Sequence, residues 1–366
     1  MTPSRERYLV LDTWRYIAAA GVVLYHYENH FQPYLAAPSN YLHHFTYLVD
    51  FFFVLSGFVL MHTYGDSIAD WRGYGRFMQK RFARLYPLHF VTTLAFVAVG
   101  VAAITFKIDM RDPSSFDPGL AAPTLTLLHA WGFTSHPGLN FPSWSISSEF
   151  FVYFLFPLFA FLLVRTRPLV FILAALAFAT VMHSVRVNLG MRPWTEATFD
   201  YGMLRAVPSF MAGMAVYMIV SALPRMRVSW LWVHAVMAAL FAAMLAQVHP
   251  FIVIACFPFA VGLIAMAERG GARTAMQSPL GAKLGDASYG IYMLHSMVQI
   301  ASLVLVRKFH LTSVPELIAV ALAGTLFATL LAIASYHWFE MPARKWLSKP
   351  LAIFAPRKQA GQGAAG

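Results

Sequence analysis

Long apolar runs, separated by short segments rich in Lys and Arg, recur from one end of the chain to the other. Runs of about 17–25 residues are long enough to cross a bilayer as helices. They fall at 10–31, 45–63, 84–106, 149–165, 168–185, 201–221, 229–248, 251–267, 288–306 and 315–338. The runs are continuous, which excludes a membrane β-barrel, whose strands alternate in hydrophobicity over about ten residues. The pattern therefore predicts an all-α fold, a polytopic transmembrane helical bundle of about ten spans. Residues 1–342 read as one membrane domain, and 343–366 as a short tail that is basic and then rich in Gly and Ala.

Composition agrees. Of 366 residues, 59% are apolar and 12% charged, against about 25% charged in a soluble domain. Cys256 is the only cysteine, so no disulfide framework or multi-thiolate metal site forms within one chain. The first apolar run follows Arg5 and Arg7, lacks a small-residue cleavage site and carries Arg15 and His26. It reads as an uncleaved first helix rather than a signal peptide.

Charge sets the expected orientation. With both termini inside, twenty of the 27 Lys and Arg residues fall on the inner side and six on the outer, with Arg205 left inside a span. Cytoplasmic segments carry the excess of positive charge in membrane proteins, so both termini are expected in the cytoplasm of a bacterial-type inner membrane. The net charge of +11 then serves topology and anionic headgroups, and no nucleic-acid partner is needed. The long outer connection, 107–148, contains five prolines. Its middle, "LAAPTLTLLHAWGF", is too short to span and reads as a re-entrant or interfacial piece.

Ionisable side chains within spans cost about 2.5–3.5 kcal/mol each on insertion scales and tend to mark function. Helix 1 carries Asp12, Arg15 and His26. The last two are separated by about 16 Å of rise and about 20° of rotation, so they share a face. Their bland reading is a snorkelling arginine and a histidine bonded to a backbone carbonyl. Asp50 opens the next span. Glu149 heads the aromatic run "FPSWSISSEFFVYFLFP", behind Trp144 and Ser145. An acid near a helix N-terminus is favoured by the dipole alone. Yet His26, Asp50 and Glu149 are all expected in the outer half, where a carboxylate against an imidazole would fix its tautomer and basicity.

Other polar positions read as follows. Ser56 and Gly57 fall mid-span and read as a packing contact or kink rather than a nucleophile. Arg72, Arg76, Lys80 and Arg84 recur every four residues, with Arg81 beside them; on a helix they form a basic stripe suited to topology or to phosphates. Ser288, Tyr292 and His295 form one polar face, expected near the inner side. Arg205 is buried by sequence and wants a partner. Glu340 and Arg344 are four apart and are expected to pair. No GxSxG, HExxH, GxGxxG or P-loop is present, and no His is followed five residues later by Asp. A transporter of a glycolipid or small organic acid fits ten helices with buried charges, but no internal repeat of the transporter kind is visible. A serine hydrolase built on Ser56 lacks any further motif.

The segments "LDTWRYIAAAGVVLYHY", "VDFFFVLSGFVL", "KRFARLYP", "PSWSISSEFFVYFLFP", "DASYGIYMLH" and "FEMPARKW" together resemble the acyltransferase 3 family of integral membrane acyltransferases, of the stand-alone type. They keep the family's order and span nearly the whole chain. The resemblance implies transfer of an acyl group, commonly acetyl, from cytosolic acyl-CoA to hydroxyls of sugars on glycans, lipids or small molecules. It implies catalytic roles for His26 and Glu149; Asp50, expected at the same depth as His26, is a second candidate acid. It implies donor binding by Arg15, Arg81 and Arg84, with Lys80 beside them. Asp12, Trp144, Ser145, Arg205, Tyr292 and His295 are expected as structural or substrate-lining residues. Acyl-CoA is expected as a co-substrate, with no permanently bound cofactor or metal. The partners are then a sugar or glycan hydroxyl and the lipid bilayer. The family's first-helix motif commonly has Gly where this chain has Tyr16.

Overall fold

The computed structural model describes residues 7–35, 37–65, 68, 70–107 and 113–354. Arg5, Arg111, Arg357 and Lys358, counted in the charge asymmetry, lie outside the described residues, as does the end of the tail. The chain is helical throughout, with no strand among the described residues. The helices are α1 (Leu9–Phe31), α2 (Leu48–Tyr64), α3 (Trp71–Phe106), α4 (Ala121–Leu125), α5 (Trp144–Arg165) and α6 (Pro168–Asn188). They continue with α7 (Gly202–Ala222), α8 (Trp230–Leu245), α9 (Pro250–Arg269), α10 (Pro279–Lys308), α11 (Val314–Ser335) and α12 (Met341–Leu347).

Ten long helices stand at the ten expected positions. Among the described residues, eight are long and apolar enough to cross a membrane, and α1 and α8 occupy the other two places. The apolar starts seen in the sequence are not the helix starts, because polar residues extend the helices beyond the hydrocarbon. Asp70 caps α3, accepting from Gly73 N at 2.7 Å, so the whole basic stripe from Arg72 to Arg84 is helical. Ser278 caps α10 in the same way, with Pro279 at its first turn. A reciprocal capping box of Ser313 and Glu316 opens α11. These side chains satisfy backbone N–H groups that have no partner inside the helix.

Depth in the bundle follows from burial. The apolar window of α2 is 78% buried and that of α6 only 17%, so α2 is interior and α6 lies on the lipid-facing rim. α2 packs hardest on α7 through two glycines. A Cβ on Gly57 would fall on the carbonyl oxygen of Phe210, and one on Gly213 on that of Val54. Small residues at such crossings let helix backbones touch, which accounts for Gly57 as packing. The contact is locked by an ion pair: Arg205 Nη2 lies 2.6 Å from Asp50 Oδ2, with both side chains buried. Trp144 and Tyr47 stack on the same guanidinium at 5.1 and 5.9 Å. Arg205 thus has its partner.

The connection before α5 re-enters the bundle. Leu127, His129, Ala130, Leu139, Asn140 and Ser143 are buried although the backbone there is irregular. Such backbone is tolerated at depth only where protein satisfies it. Ser147 Oγ donates to Leu127 O at 2.5 Å, and Met203 N donates to Ala130 O at 3.1 Å. His89 Nε2 lies 2.8 Å from Thr124 O, and His129 Nε2 lies 3.0 Å from Ser143 Oγ. At the tip, Asn140 takes the left-handed conformation, φ 57°. Its amide donates to Met293 O at 3.1 Å and accepts from Ser296 Oγ at 2.5 Å, tying the loop to α10.

Beyond α11 the helix widens into a π-turn over Tyr336–Glu340 before α12. Residues 343–354 then fold back on α3. Gln79 Nε2 donates to Leu347 O at 2.8 Å, and Arg76 Nη1 to Phe354 O at 2.8 Å. Both ends of the described chain therefore sit on the face of the bundle that carries the start of α3.

Candidate active site

A cavity of about 780 Å³ opens on that basic face and runs into the bundle between α1, α2, α3, α5, α10 and the π-turn. Along α2 its wall runs from Thr63 to Val49, a separation of about 21 Å at helical rise. Arg7, Asp286, Met341 and Arg344 line the basic end, and Val49, Phe52, Ser145 and Tyr292 bound the far end. The wall between is mixed, with Leu55, Val59 and Ile146 beside Ser56, Glu149 and Tyr289.

The charges of this canal sort into paired and unpaired groups. Asp12 accepts from Arg15 Nη2 at 2.6 Å and pairs also with Arg7. Arg7 Nη2 reaches Asp286 at 2.6 Å, and Arg15 Nη2 donates to Gly285 O at 3.0 Å. These four residues neutralise one another where α1 meets α10. Among the described residues Arg81 touches no carboxylate; its Nη2 donates to Tyr64 OH at 3.0 Å, and its buried Nε meets no partner there. Arg84 and Arg344 line the cavity and form no ion pair or hydrogen bond among the described residues. Arg344 lies within electrostatic reach of both Arg81 and Arg84. Three guanidiniums that repel one another around an open space favour an anion with several oxygens, which arginine grips bidentately.

Several expected placements change here. Lys80 is exposed and does not line the canal, because its place on α3 turns it outward while Arg81 and Arg84 turn inward. Arg344 does not pair with Glu340. The buried Glu340 carboxylate instead accepts from Ser335 Oγ at 3.0 Å, five residues back across the π-turn. Tyr16 points away from the canal to Thr329 Oγ1, at 3.2 Å.

The expected meeting of imidazole and acid does not occur. Asp50 is committed to Arg205. Glu149 accepts from Ser56 Oγ at 2.9 Å and from the Tyr153 hydroxyl. α5 begins at Trp144 rather than near Glu149, so the acid is carried more than a turn into the bundle, to the level of mid-α2. His26 keeps other company. Its ring stacks on His295 at 5.3 Å, and the edge of Phe141 meets it at 4.7 Å. His295 is therefore beside His26 rather than near the basic face. It lies one helical turn beyond Tyr292, with the two rings 5.9 Å apart. Tyr292 closes the canal beneath this pair: Ser145 Oγ donates to its hydroxyl at 2.8 Å, and that hydroxyl donates to Pro142 O at 3.0 Å. His26 is half-buried and lies outside the canal lining.

Sequence reasoning missed Arg344 as an unpaired cation, Ser56 and Tyr153 as partners of Glu149, and Asn140 with Phe141 as neighbours of the imidazoles. Only Tyr153 carries a local signal, being four residues after Glu149 on one helix face. The others meet across the fold.

A many-spanning helical bundle with a polar canal leading toward a histidine pair fits an integral membrane enzyme. The chain matches the Acyltransferase domain family model, Acyl_transf_3, over residues 8–337, and it belongs to that acyltransferase 3 family. It is 32% identical over 314 residues to Acyltransferase MdmB of Streptomyces mycarofaciens, covering 78% of this chain and 76% of that protein. It is 36% identical over 159 residues to Protein 2 in picA locus of Rhizobium radiobacter, covering 40% of this chain and 79% of that one. No solved structure matches the chain.

Proposed function

We propose that this acyltransferase moves an acyl group, acetyl in the simplest case, from cytosolic acyl-CoA to a hydroxyl of a sugar, glycan or glycolipid acceptor. One observation carries the reading: a canal with three unpaired arginines toward one end stops one helical turn short of the His26–His295 pair. The bias of Lys and Arg toward that side of the bundle supports an arginine face in the cytoplasm, where acyl-CoA is made.

In this reading the donor's phosphates rest on Arg81, Arg84 and Arg344, with the neutralised Arg7–Asp12–Arg15–Asp286 cluster forming the rim. The extended pantetheine arm is comparable in length to the canal and brings the thioester to the Tyr292 end. The acceptor approaches from the opposite face, where Tyr25, His26, His30 and Phe141 present half-buried rings. His26 takes the proton of the acceptor hydroxyl as its oxygen attacks the thioester carbon. The C–S bond breaks and CoA leaves with the electron pair on sulfur. Tyr292 moves aside for the two substrates to meet.

The test uses membranes that contain the protein, labelled acetyl-CoA and a glycan extract. Covalent label in an acceptor, lost in membranes without the protein, supports the reading. Flux of an unmodified solute without CoA dependence overturns it in favour of a transporter. Mass spectrometry of envelope glycans with and without the protein then identifies the acceptor.

A further inference from the structure

Two carboxylates on the canal wall, Glu340 and Glu149, keep an oxygen that no described residue engages. Asp12 and Asp286 are consumed by Arg7 and Arg15. Glu340 gives one oxygen to Ser335 Oγ and is buried, whereas Glu149 is more open to the canal. Glu149 is braced from behind: Ser56 Oγ donates to its Oε1 at 2.9 Å, and the Tyr153 hydroxyl donates to the same oxygen. Its Oε2 has no hydrogen-bond partner or ion pair among the described residues, and Glu149 is half-buried with its free surface in the canal. Arg84 lies within electrostatic reach but does not pair with it.

Position tells what this oxygen meets. Ser56 lies seven residues from Val49 and seven from Thr63, the two ends of the α2 wall. Glu149 is thus about 10 Å from either end of the canal. With Leu55, Val59 and Ile146 on the same wall, its second oxygen gains from an N–H donor brought by a ligand. The thioester at one end of the bound donor has no N–H and the phosphates at the other are anions, so neither satisfies a carboxylate oxygen. What passes the midpoint is the pantetheine arm, whose only polar hydrogens along its length are two amide N–H groups and a hydroxyl.

We propose that Glu149, held by Ser56 and Tyr153, is a subsite for an amide N–H of the donor's pantetheine arm, and not the acid that serves His26. The subsite rests on the acyl-CoA reading above. It makes Glu149 a donor-binding residue that sets how far the arm enters, and hence where the thioester stops beneath Tyr292.

The test is a titration of the purified full chain in nanodiscs with three probes. Acetyl-CoA carries phosphates and arm, S-acetylpantetheine carries the arm alone, and adenosine bisphosphate carries phosphates alone. Glu149→Gln is expected to weaken acetyl-CoA and S-acetylpantetheine about tenfold, as for a lost charge-assisted hydrogen bond, and to leave adenosine bisphosphate unchanged. Glu149→Leu, which has no acceptor, loses more. Arg344→Ala shows the complementary pattern, weakening acetyl-CoA and adenosine bisphosphate but not S-acetylpantetheine. Equal weakening of all three probes by Glu149→Gln, or unchanged acetyl-CoA binding in a folded variant, overturns the subsite and leaves the donor reading standing. Failure of the wild type to bind acetyl-CoA and adenosine bisphosphate overturns both.

Discussion

His26 and His295 stack with ring centroids 5.3 Å apart and planes 24° from parallel, so the partner of the helix-1 histidine is a second imidazole and not a carboxylate. His295 Nδ1 is engaged by Ile291 O at 3.2 Å, while its Nε2 is buried without a partner among the described residues. Phe141 sets its edge against both rings, at 4.7 and 5.9 Å. Among the described residues no carboxylate meets His26, whose ring is packed by His295 and Phe141.

Replacing His26 with Ala should remove transfer while leaving the donor bound, because the ring lies outside the canal. Loss of a general base lowers turnover by about 10²- to 10⁴-fold. Label incorporation into acceptor, set against acetyl-CoA titration of the same preparation, checks both halves. Transfer near the wild-type rate would remove His26 from the chemistry.

Arg344 and Lys80 should part company. Arg344→Ala removes one of three unpaired guanidiniums in the canal and is expected to raise KM for the acyl donor about tenfold or more, with a smaller effect on kcat. Lys80→Ala alters an exposed side chain and should leave both within about twofold, in line with the small worth of exposed charges. Donor-dependent initial rates decide between them.

Breaking the Asp50–Arg205 pair should cost stability before activity. Removing one member strands a buried charge, at about 3–5 kcal/mol. Asp50→Asn and Arg205→Met are therefore expected to lower Tm markedly in detergent. The double replacement Asp50→Leu with Arg205→Met should recover most of that loss, as apolar substitutes for a buried pair often do. A fully stable Asp50→Asn protein that had lost transfer would return Asp50 to the catalytic group.

Asn140→Ala should slow transfer without loosening donor binding. The substitution deletes two hydrogen bonds to α10 and leaves a left-handed backbone at φ 57° to a residue that resists it. Phe141, the next residue, then no longer holds its place on His26. Asn140→Gly tolerates the backbone but lacks the anchors, so it should slow transfer as well. A Gly variant with full activity would show that the backbone conformation alone matters.

Two legible features rested on local chemistry. Continuous apolar runs of spanning length admit one backbone solution in lipid, so all ten long helices stood at the expected places. The ordered segments around Arg15–His26, Arg81–Arg84 and Glu149 carried the family. Helix periodicity also put Arg81 and Arg84 on a helix, but it could not say which residue of a five-membered basic stretch faces inward. Lys80 differs from Arg81 by a single rotation of 100° about the axis, and only the neighbouring helices decide which of them meets water.

What the amino-acid sequence determined by itself was therefore the membrane, the helices, the basic bias and the family, because each follows from transfer of side chains out of water or from residues near one another in the chain. Which charges neutralise which was decided by tertiary structure alone. Asp50 and Arg205 are 155 residues apart, and Ser56 and Glu149 are 93 apart. His26 finds His295 rather than an acid because the re-entrant loop before α5 delivers Phe141 to the imidazoles and carries Glu149 past them into the canal. The physical reason is that a buried polar group takes whichever partner packing brings within about 3 Å, and no spacing along one helix encodes how far another enters the bundle.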